Sequence, residues 1–435
     1  MIRRGFLATG ALVAGLLAVP APAYAAADQG TFDVLTYNVA GLPELLSSAE
    51  VDRKTAHTEI GRRLGPYEVV HVQEDFNYHA YLYAADTTHA YRTPTSGGAG
   101  IGSGLNSLSA VAYDTGDFER GDWDSCQFDS GDCLTPKGFT FARHRLAEGV
   151  YVDFYNLHTN AGTSAGDQQS RADNLRQLTA FIGSHSAGNA VIVMGDTNTR
   201  YTRAADTIRD FVAANGLTDA WVKLERGGVV PPANDQALLC DAAAITDTCE
   251  VVDKILYRGS RFVTLDATGY HNEHASFVTS DGKMLSDHFP ISASFRWATN
   301  PKYRFSEQFG GPHGSYFNDI DQVGAVIQIG LRTGSRVDQV SIGALRHGGT
   351  GGTAKTLTLG SGEYVTSAHL CRGKHNSQTR IFSARFTTNL GNSIAGGTTT
   401  ADCATFTAPQ DTYISGFHGR AGSEVDKLGV IYTLR

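Results

Sequence analysis

The chain has 435 residues, enough for two or three domains at about 150 residues each. Hydrophobic residues make up 41% and charged residues 18%, ordinary globular values that exclude wholesale disorder and a multi-span membrane protein. The formal charge of −8 excludes a simple polycation that holds nucleic acid by bulk attraction, and 49 glycines, roughly 11% against a usual 7% or so, call for many turns and short strands.

In chain order, residues 1–25 read as a secretory signal peptide. Arg3 and Arg4 form a basic start, Phe6 to Val19 is mostly apolar, and Ala23-Tyr24-Ala25 fits a small-x-small cleavage site. The apolar run is shorter than the roughly 20 residues a membrane span needs. A secreted, extracellular protein is expected, with a net charge of −10 once the two arginines are gone. Export makes the six cysteines disulfide candidates rather than zinc ligands, and none stands in a Cys-x-x-Cys pair. Spacing pairs Cys126 with Cys133, Cys240 with Cys249 and Cys371 with Cys403.

Residues 26–298 alternate strand-like and helix-like segments, whereas the remainder is short strands and glycine turns, with a boundary near Trp297-Ala298-Thr299-Asn300-Pro301. Charge changes sign there: residues 26–298 carry −14 and residues 299–435 carry +4. In the first half Phe32–Val39, Val69–Val72, Val150–Leu157, Ala190–Met194, Val251–Tyr257 and Phe289–Phe295 read as core strands. Gln168–Ser184 places Ala172, Leu175, Leu178 and Ile182 on one helical face, and Ala204–Asn215 does the same with Ile208, Phe211 and Val212 before Gly216. Interleaved strands and helices imply a layered α/β domain. The second half shows no helical window and reads as an all-β prism, sandwich or barrel.

Polar residues fall at the ends of the predicted strands. Asn38 closes the first and Glu74 the second. Tyr155-Asn156-Leu157-His158 ends in an imidazole, and Met194-Gly195-Asp196-Thr197-Asn198 ends in Gly-Asp-x-Asn. Asp253 opens a strand, and Ser286-Asp287-His288 precedes the last one. Six such ends in one layered domain are expected to converge on one rim.

This order of motifs resembles the endonuclease/exonuclease/phosphatase superfamily, the deoxyribonuclease I-like fold, over residues 31–298. Gly216-Leu217-Thr218-Asp219-Ala220-Trp221 also looks like that family's segment after Gly-Asp-x-Asn. One departure is Leu108-Ser109-Ala110, where many members have Leu-Ser-Arg. The resemblance implies a four-layer αββα sandwich and metal-assisted hydrolysis of a phosphate ester. Glu74, with Asn38 and Asp287, would hold or orient Mg2+, with Mn2+ or Ca2+ as alternatives. His288 would be the general base, its tautomer fixed by Asp253. His158 and Asn198 would donate to the phosphoryl oxygens, and Asp196 would hold the nucleophilic water or a second metal.

For the substrate, −14 on the catalytic half argues against a nuclease that must grip a polyanion. Arg62-Arg63 and Arg143-His144-Arg145 are its nearest approaches to a basic cluster and read as solvated faces. His158-Thr159-Asn160-Ala161-Gly162, followed by Gly166-Asp167-Gln168-Gln169-Ser170-Arg171, resembles the sphingomyelinase and phospholipase C branch. The aromatic stretch Phe76 to Tyr83 after Glu74 is a candidate for contact with a lipid interface. A phospholipid head group at a membrane surface is the expected substrate. An extracellular endonuclease, a sugar- or inositol-phosphate phosphatase, and a glycan-binding protein with an inactive sandwich are the alternatives.

Residues 303–435, with Phe309-Gly310-Gly311, the glycine run Gly348 to Gly352 and the segment Ile414 to Val430, resemble the jacalin-related lectins, which are β-prisms. In that family a Gly-x-x-x-Asp loop holds a sugar. Gly422, Ser423, Glu424 and Asp426 match the loop, and Gly311 matches the glycine on the other side of the site. The resemblance implies a glycan partner.

Overall fold

The computed structural model describes residues 27–96, 102–128, 131–241 and 244–435. The expected signal peptide lies outside the described residues. The first half runs β1 (Gln29–Asn38), α1 (Arg53–Arg63), β2 (Val69–Gln73), α2 (His79–Ala85), β3 (Tyr91–Arg92), β4 (Asn106–Ser109), β5 (Glu119–Asp122), β6 (Gly138–Ala147), β7 (Val150–His158), α3 (Ala165–His185), β8 (Ala190–Asp196), α4 (Ile208–Ala214), β9 (Thr218–Asp219), α5 (Ala220–Glu225), β10 (Asp253–Arg258), β11 (Val263–Asn272) and β12 (Ile291–Thr299). The expected strands are all present.

The helix expected from Gln168 begins earlier, because Ser164 caps it. Asp167 N–H donates to Ser164 Oγ at 3.2 Å, and Ser164 N–H donates back to the Asp167 carboxylate at 3.1 Å. α4 is shorter than expected because its upstream turn is organised around buried Asp206, which accepts from Arg200 N–H at 2.8 Å and from the Arg171 and Arg203 guanidinium groups. β6 was not expected, and the basic run inside it is no solvated face. Arg143 is buried against Asp153 at 2.7 Å, and the His144 ring packs on Phe154 at 4.6 Å. A paired arginine can be buried in a strand whose sequence looks like surface.

Two six-stranded sheets form, in orders β11-β12-β1-β2-β4-β3 and β5-β6-β7-β8-β10-β9. In each, one parallel pair lies at the centre, β1 with β2 and β7 with β8, and its other neighbours are antiparallel. The sheets pack face to face through Phe32, Val34, Phe154, Ile192 and Phe295. Polar groups between them are paired: Gln73 Nε2 donates to Asn156 Oδ1 at 2.8 Å, and Asn156 Nδ2 donates to Val72 O at 3.0 Å. Ala56 and Ile60 on α1, with Leu64 at its C-terminal cap, cover the outer side of the first sheet, and Leu175, Leu178 and Ile182 on α3 cover that of the second. This is the expected αββα sandwich.

The remaining strands form three antiparallel sheets, a β-prism. One combines β13 (Tyr303–Phe305), β14 (Phe309–Gly310) and β15 (Ser315–Asn318) with the last two strands. The second holds β16 (Gln328–Thr333), β17 (Val337–Ile342), β18 (Leu345–Gly348) and β19 (Thr353–Thr358). The third holds β20 (Val365–His375), β21 (Gln378–Thr388), β22 (Ser393–Gly397) and β23 (Asp402–Thr407), and β24 (Thr412–Ala421) and β25 (Val425–Leu434) return to close the first. All three expected disulfides are closed.

Prism and sandwich share one interface. Arg420 pairs with Asp117 at 3.1 Å, and Lys427 lies 2.8 Å from Asp114 and 2.7 Å from Asp117. Arg145, Gly149 N–H and Tyr151 Oη converge on Glu307, and Phe262 stacks on Phe305 at 4.4 Å.

Candidate active site

Chain direction brings the strand-end residues together. β1, β2, β7 and β8 run one way and end in Asn38, Gln73-Glu74, His158 and Asp196, while the antiparallel β10 and β12 begin at the same rim. In register, Asp196 sits opposite His158 on one side and Asp253 on the other. Gly195 is required here by close approach, since a Cβ on it would lie 2.2 Å from Leu157 O.

Asn38 is fully buried. Its Nδ2 donates to Glu74 Oε1 at 3.2 Å and to Asp196 Oδ2 at 3.1 Å, and its Oδ1 accepts from Ala40 N–H at 3.1 Å. Asn38 thus ties one carboxylate of each sheet to the other. His158 Nε2 lies 3.2 Å from Asp196 Oδ2, and His288 Nε2 lies 3.8 Å from the same oxygen. His288 Nδ1 meets Asp253 Oδ2 at 3.1 Å, the partner expected for it. Asn198 donates its N–H to Asp196 Oδ1 at 2.9 Å and its Nδ2 to Thr159 O at 3.2 Å. Asp287 is exposed and accepts from the hydroxyls of Ser48 and Ser286 rather than joining this cluster directly. Ala40, Glu74 and Asn198 have φ of 48°, 54° and 49°, so the three turns leaving β1, β2 and β8 all carry left-handed non-glycine residues.

The charges in the cluster are coupled. Burial resists ionisation of Asp196, but His158 and His288, with Lys137 adding to them, outweigh it and hold the carboxyl well below the usual carboxylate range. Asp253 is pushed up by burial and by Asp196, against the pull of His288. Burial disfavours the His288 imidazolium, yet Asp253 and Asp196 outweigh burial and raise it to about 10.

Asp196, Asp253 and His288 offer ligand atoms within 4.8 Å of one another. Glu74, joined through Asn38, adds another carboxylate to the same rim. Asp253 Oδ1 and His158 Nδ1 are buried without hydrogen-bond partners. Several carboxylates with too few cations and hard oxygen donors to spare fit a hard divalent cation. A second group within that spacing, His369 with Cys371 and Cys403, is no metal site, because the two cysteines form a disulfide.

Several residues of the site carried no sequence signal. Lys137, ion-paired with Asp132, lies close enough to act on Asp196. Asp75 is buried behind Glu74, where Asn106 Nδ2 donates to it at 2.7 Å and His57 lies 3.9 Å away. Burial lifts the Asp75 carboxyl to about 7 against the Asn106 hydrogen bond.

In the prism, Gly311 and Asp426 meet as expected: Gly311 N–H donates to Asp426 O at 2.8 Å. Gly422 and Ser423 are exposed, and Gly422 N–H donates to Glu424 O at 2.9 Å. The acid side chains of this loop are engaged in ion pairs within the prism. Asp426 is 0% exposed and is held by Arg380, and Glu424 is held by Arg336 with its Nε at 2.8 Å.

The paired sheets with an acid–histidine cluster on their shared rim define a deoxyribonuclease I-like sandwich, here carrying a β-prism. Residues 43–294 match the model of endonuclease/exonuclease/phosphatase family 2, and the chain belongs to that family. Residues 306–431 match the jacalin-like lectin domain. A protein named sphingomyelinase from Mycobacterium tuberculosis is 41% identical over 277 residues, covering 62% of this chain and 54% of that one, so the chain spans about half the length of the curated relatives it matches. Among solved structures, sphingomyelinase C from Streptomyces griseocarneus is 19% identical with a TM-score of 0.43, covering 61% of this chain and 99% of that one. A Staphylococcus aureus beta toxin mutant with bound magnesium ions is 14% identical with a TM-score of 0.43 and the same coverage.

Proposed function

We propose that the protein is a secreted, Mg2+-dependent phosphodiesterase that hydrolyses a phospholipid head group of the sphingomyelin type, with a prism that binds glycans. The convergence of Asn38, Glu74, His158, Asp196, Asp253 and His288 on one rim carries the reading. The 41% identity to a protein named sphingomyelinase supports the choice of ester. Three closed disulfides support export to an oxidising compartment.

Bound at Glu74, with Asn38 orienting its surroundings, the cation would act as a Lewis acid on the phosphoryl oxygens and oppose the protonation of His288. His288, oriented by Asp253, takes a proton from the attacking water. The water oxygen forms the new bond to phosphorus while the bond to the lipid oxygen breaks, and the leaving oxygen takes a proton from solvent to depart as the lipid alcohol. His158 and Asn198 donate to the phosphoryl oxygens as charge shifts onto them, and Asp196 orients the water and His158 together.

The surroundings suit a lipid. The stretch after Glu74 folds into α2 with Leu82 buried and Tyr81 exposed, and two further pairs of exposed apolar side chains stand near the strand ends that form the rim. Leu45, 97% exposed, and Leu46 project from the turn after β1. Phe128, 76% exposed, and Leu134 project beside the Cys126–Cys133 staple, where Gln127 N–H donates to Asn160 Oδ1 at 2.8 Å, next to His158. Exposed apolar side chains on two sides of a polar site fit an interface of head groups over acyl chains.

Phosphocholine release from sphingomyelin vesicles tests the reading. Stripping with EDTA should abolish turnover, and Mg2+ should restore it. Glu74→Gln and His288→Ala should each cost about 10²–10⁴-fold in kcat in a folded protein. Turnover indifferent to EDTA, or full activity in either variant, refutes it.

A further inference from the structure

The aim of the Glu74 carboxylate is set by its backbone. Among the described residues it takes one side-chain hydrogen bond, from Asn38 Nδ2 at 3.2 Å, and its φ of 54° is a left-handed value that a non-glycine residue keeps only where its neighbours impose it. Two glycines cage the turn. A Cβ on Gly41 would lie 2.2 Å from Glu74 O, and one on Gly104 would lie 3.0 Å from Glu74 Cα. Gly41 N–H and Phe76 N–H both donate to Glu74 O, at 2.9 and 2.8 Å, so the chain doubles back at Asp75.

Asp75 ties this turn to the first sheet. The ladder between β2 and β4 ends with Val72 opposite Asn106. Beyond it, Asp75 N–H donates to Gly104 O at 3.0 Å, and Asn106 Nδ2 donates to the Asp75 carboxyl at 2.7 Å. Asn106 is itself anchored from the second sheet, because Asn156 Nδ2 on β7 donates to its carbonyl at 3.0 Å. A chain of hydrogen bonds thus runs from β7 through Asn106 to the turn that carries Glu74. On the other side stands His57 of α1. Its Nδ1 donates to Arg53 O at 2.8 Å and burial pushes the ring down to about 4, so the imidazole is neutral and its Nε2 lies as an acceptor 3.9 Å from Asp75 Oδ1. Asp75 is buried with no arginine or lysine partner among the described residues, a costly place for a carboxyl with no task.

We propose that Asp75 is a positioning residue for the metal: by pinning the Glu74 turn to β4 through Asn106 and Gly104, it aims the Glu74 carboxylate at the cation. Its shape and hydrogen bonds do this, not its charge. The proposal rests on the reading that Glu74 holds the metal.

Mn2+ is titrated into the metal-free full chain, with the free ion followed by electron paramagnetic resonance, and the thermal midpoint of each metal-free variant is recorded beside it. Asp75→Ala should weaken Mn2+ binding about 10–100-fold, as loss of a residue that orients a ligand does. Asp75→Asn should stay within about threefold of the wild type, because its amide oxygen still accepts from Asn106 and its NH2 group meets the His57 acceptor. If Asp75→Ala does not fold, Asn106→Ala, which removes the donor and keeps the acid, should weaken binding by the same factor. A lowered thermal midpoint with unchanged Mn2+ affinity in the alanine variants would make the role purely structural and overturn the proposal. So would equal losses in Asp75→Asn and Asp75→Ala, which would mean that Asp75 acts by its charge. Glu74→Gln separates the two readings: if it binds Mn2+ as the wild type does, the assignment of Glu74 falls and the proposal with it, whereas a loss there beside full affinity in Asp75→Ala overturns the proposal alone.

Discussion

Asn38 spends its amide inside the site, donating to Glu74 and Asp196 and accepting from Ala40 N–H, so it acts as a clamp across the two sheets. Asn38→Ala leaves two carboxylates without their shared donor. The Mg2+ concentration for half-maximal hydrolysis should rise about 10–100-fold, as for other residues that orient a ligand, and a Mg2+ titration of activity measures it. An unchanged midpoint would remove Asn38 from the metal's surroundings. At this scale the sequence was informative wherever chemistry coincided with a strand end, which is why Asn38, Glu74, His158, Asp196, Asp253 and His288 could be named before their contacts were known. Lys137, Asp75 and Asn106 could not, because each stands beside rather than within the residues that carry the strand-end pattern. The burial of Asp426 was equally hidden, since its partner Arg380 belongs to a different sheet of the prism.

Among elements, the strands that alternate with helices were legible from their β-branched runs, and those missed share a cause. β6 carries Arg143 and His144 inward, and β11 is broken by a bulge between Ala267 and Gly269, so neither shows a clean apolar pattern. Burying histidines in strands has a cost that depends on pH. Burial pushes His71 on β2 down to about 3, His144 on β6 to about 4 and His418 on β24 to about 3, with neighbouring positive or imidazole groups adding to the shift at His71 and His418. All three fold neutral, whereas the unfolded chain protonates them below about 6.5. The unfolded state then binds more protons between that pH and the folded values, so stability is full above it and is lost as pH falls. Each histidine should contribute about 1.4 kcal/mol of loss per pH unit in that window. Because the raised Asp75 carboxyl contributes with the opposite sign over the same range, the measurement is the comparison of wild type with His144→Gln by denaturant unfolding at pH 7 and pH 5. Acidification should cost the variant less stability, and an equal loss in both contradicts the assignment.

For the molecule as a whole, the split of charge between the halves has a structural meaning. The acidic sandwich presents Asp114, Asp117 and Glu119 to Arg420 and Lys427 of the basic prism, which docks them as one body. The glycine excess is concentrated where prism loops cross closely, as at Gly348 and Gly352. Neither the docking nor the Arg380–Asp426 pair follows from composition, because both depend on which strand returns beside which. On the function proposed above, the prism holds the enzyme on glycan-bearing surfaces while the rim cleaves lipid head groups. The most direct test is a side-by-side assay, in Mg2+, of sphingomyelin vesicles, phosphatidylcholine vesicles, plasmid DNA and sugar phosphates with the wild type and His288→Ala. The account predicts phosphocholine release from sphingomyelin by the wild type alone, with little cleavage of DNA. Strong DNA cleavage with no lipid hydrolysis would contradict it.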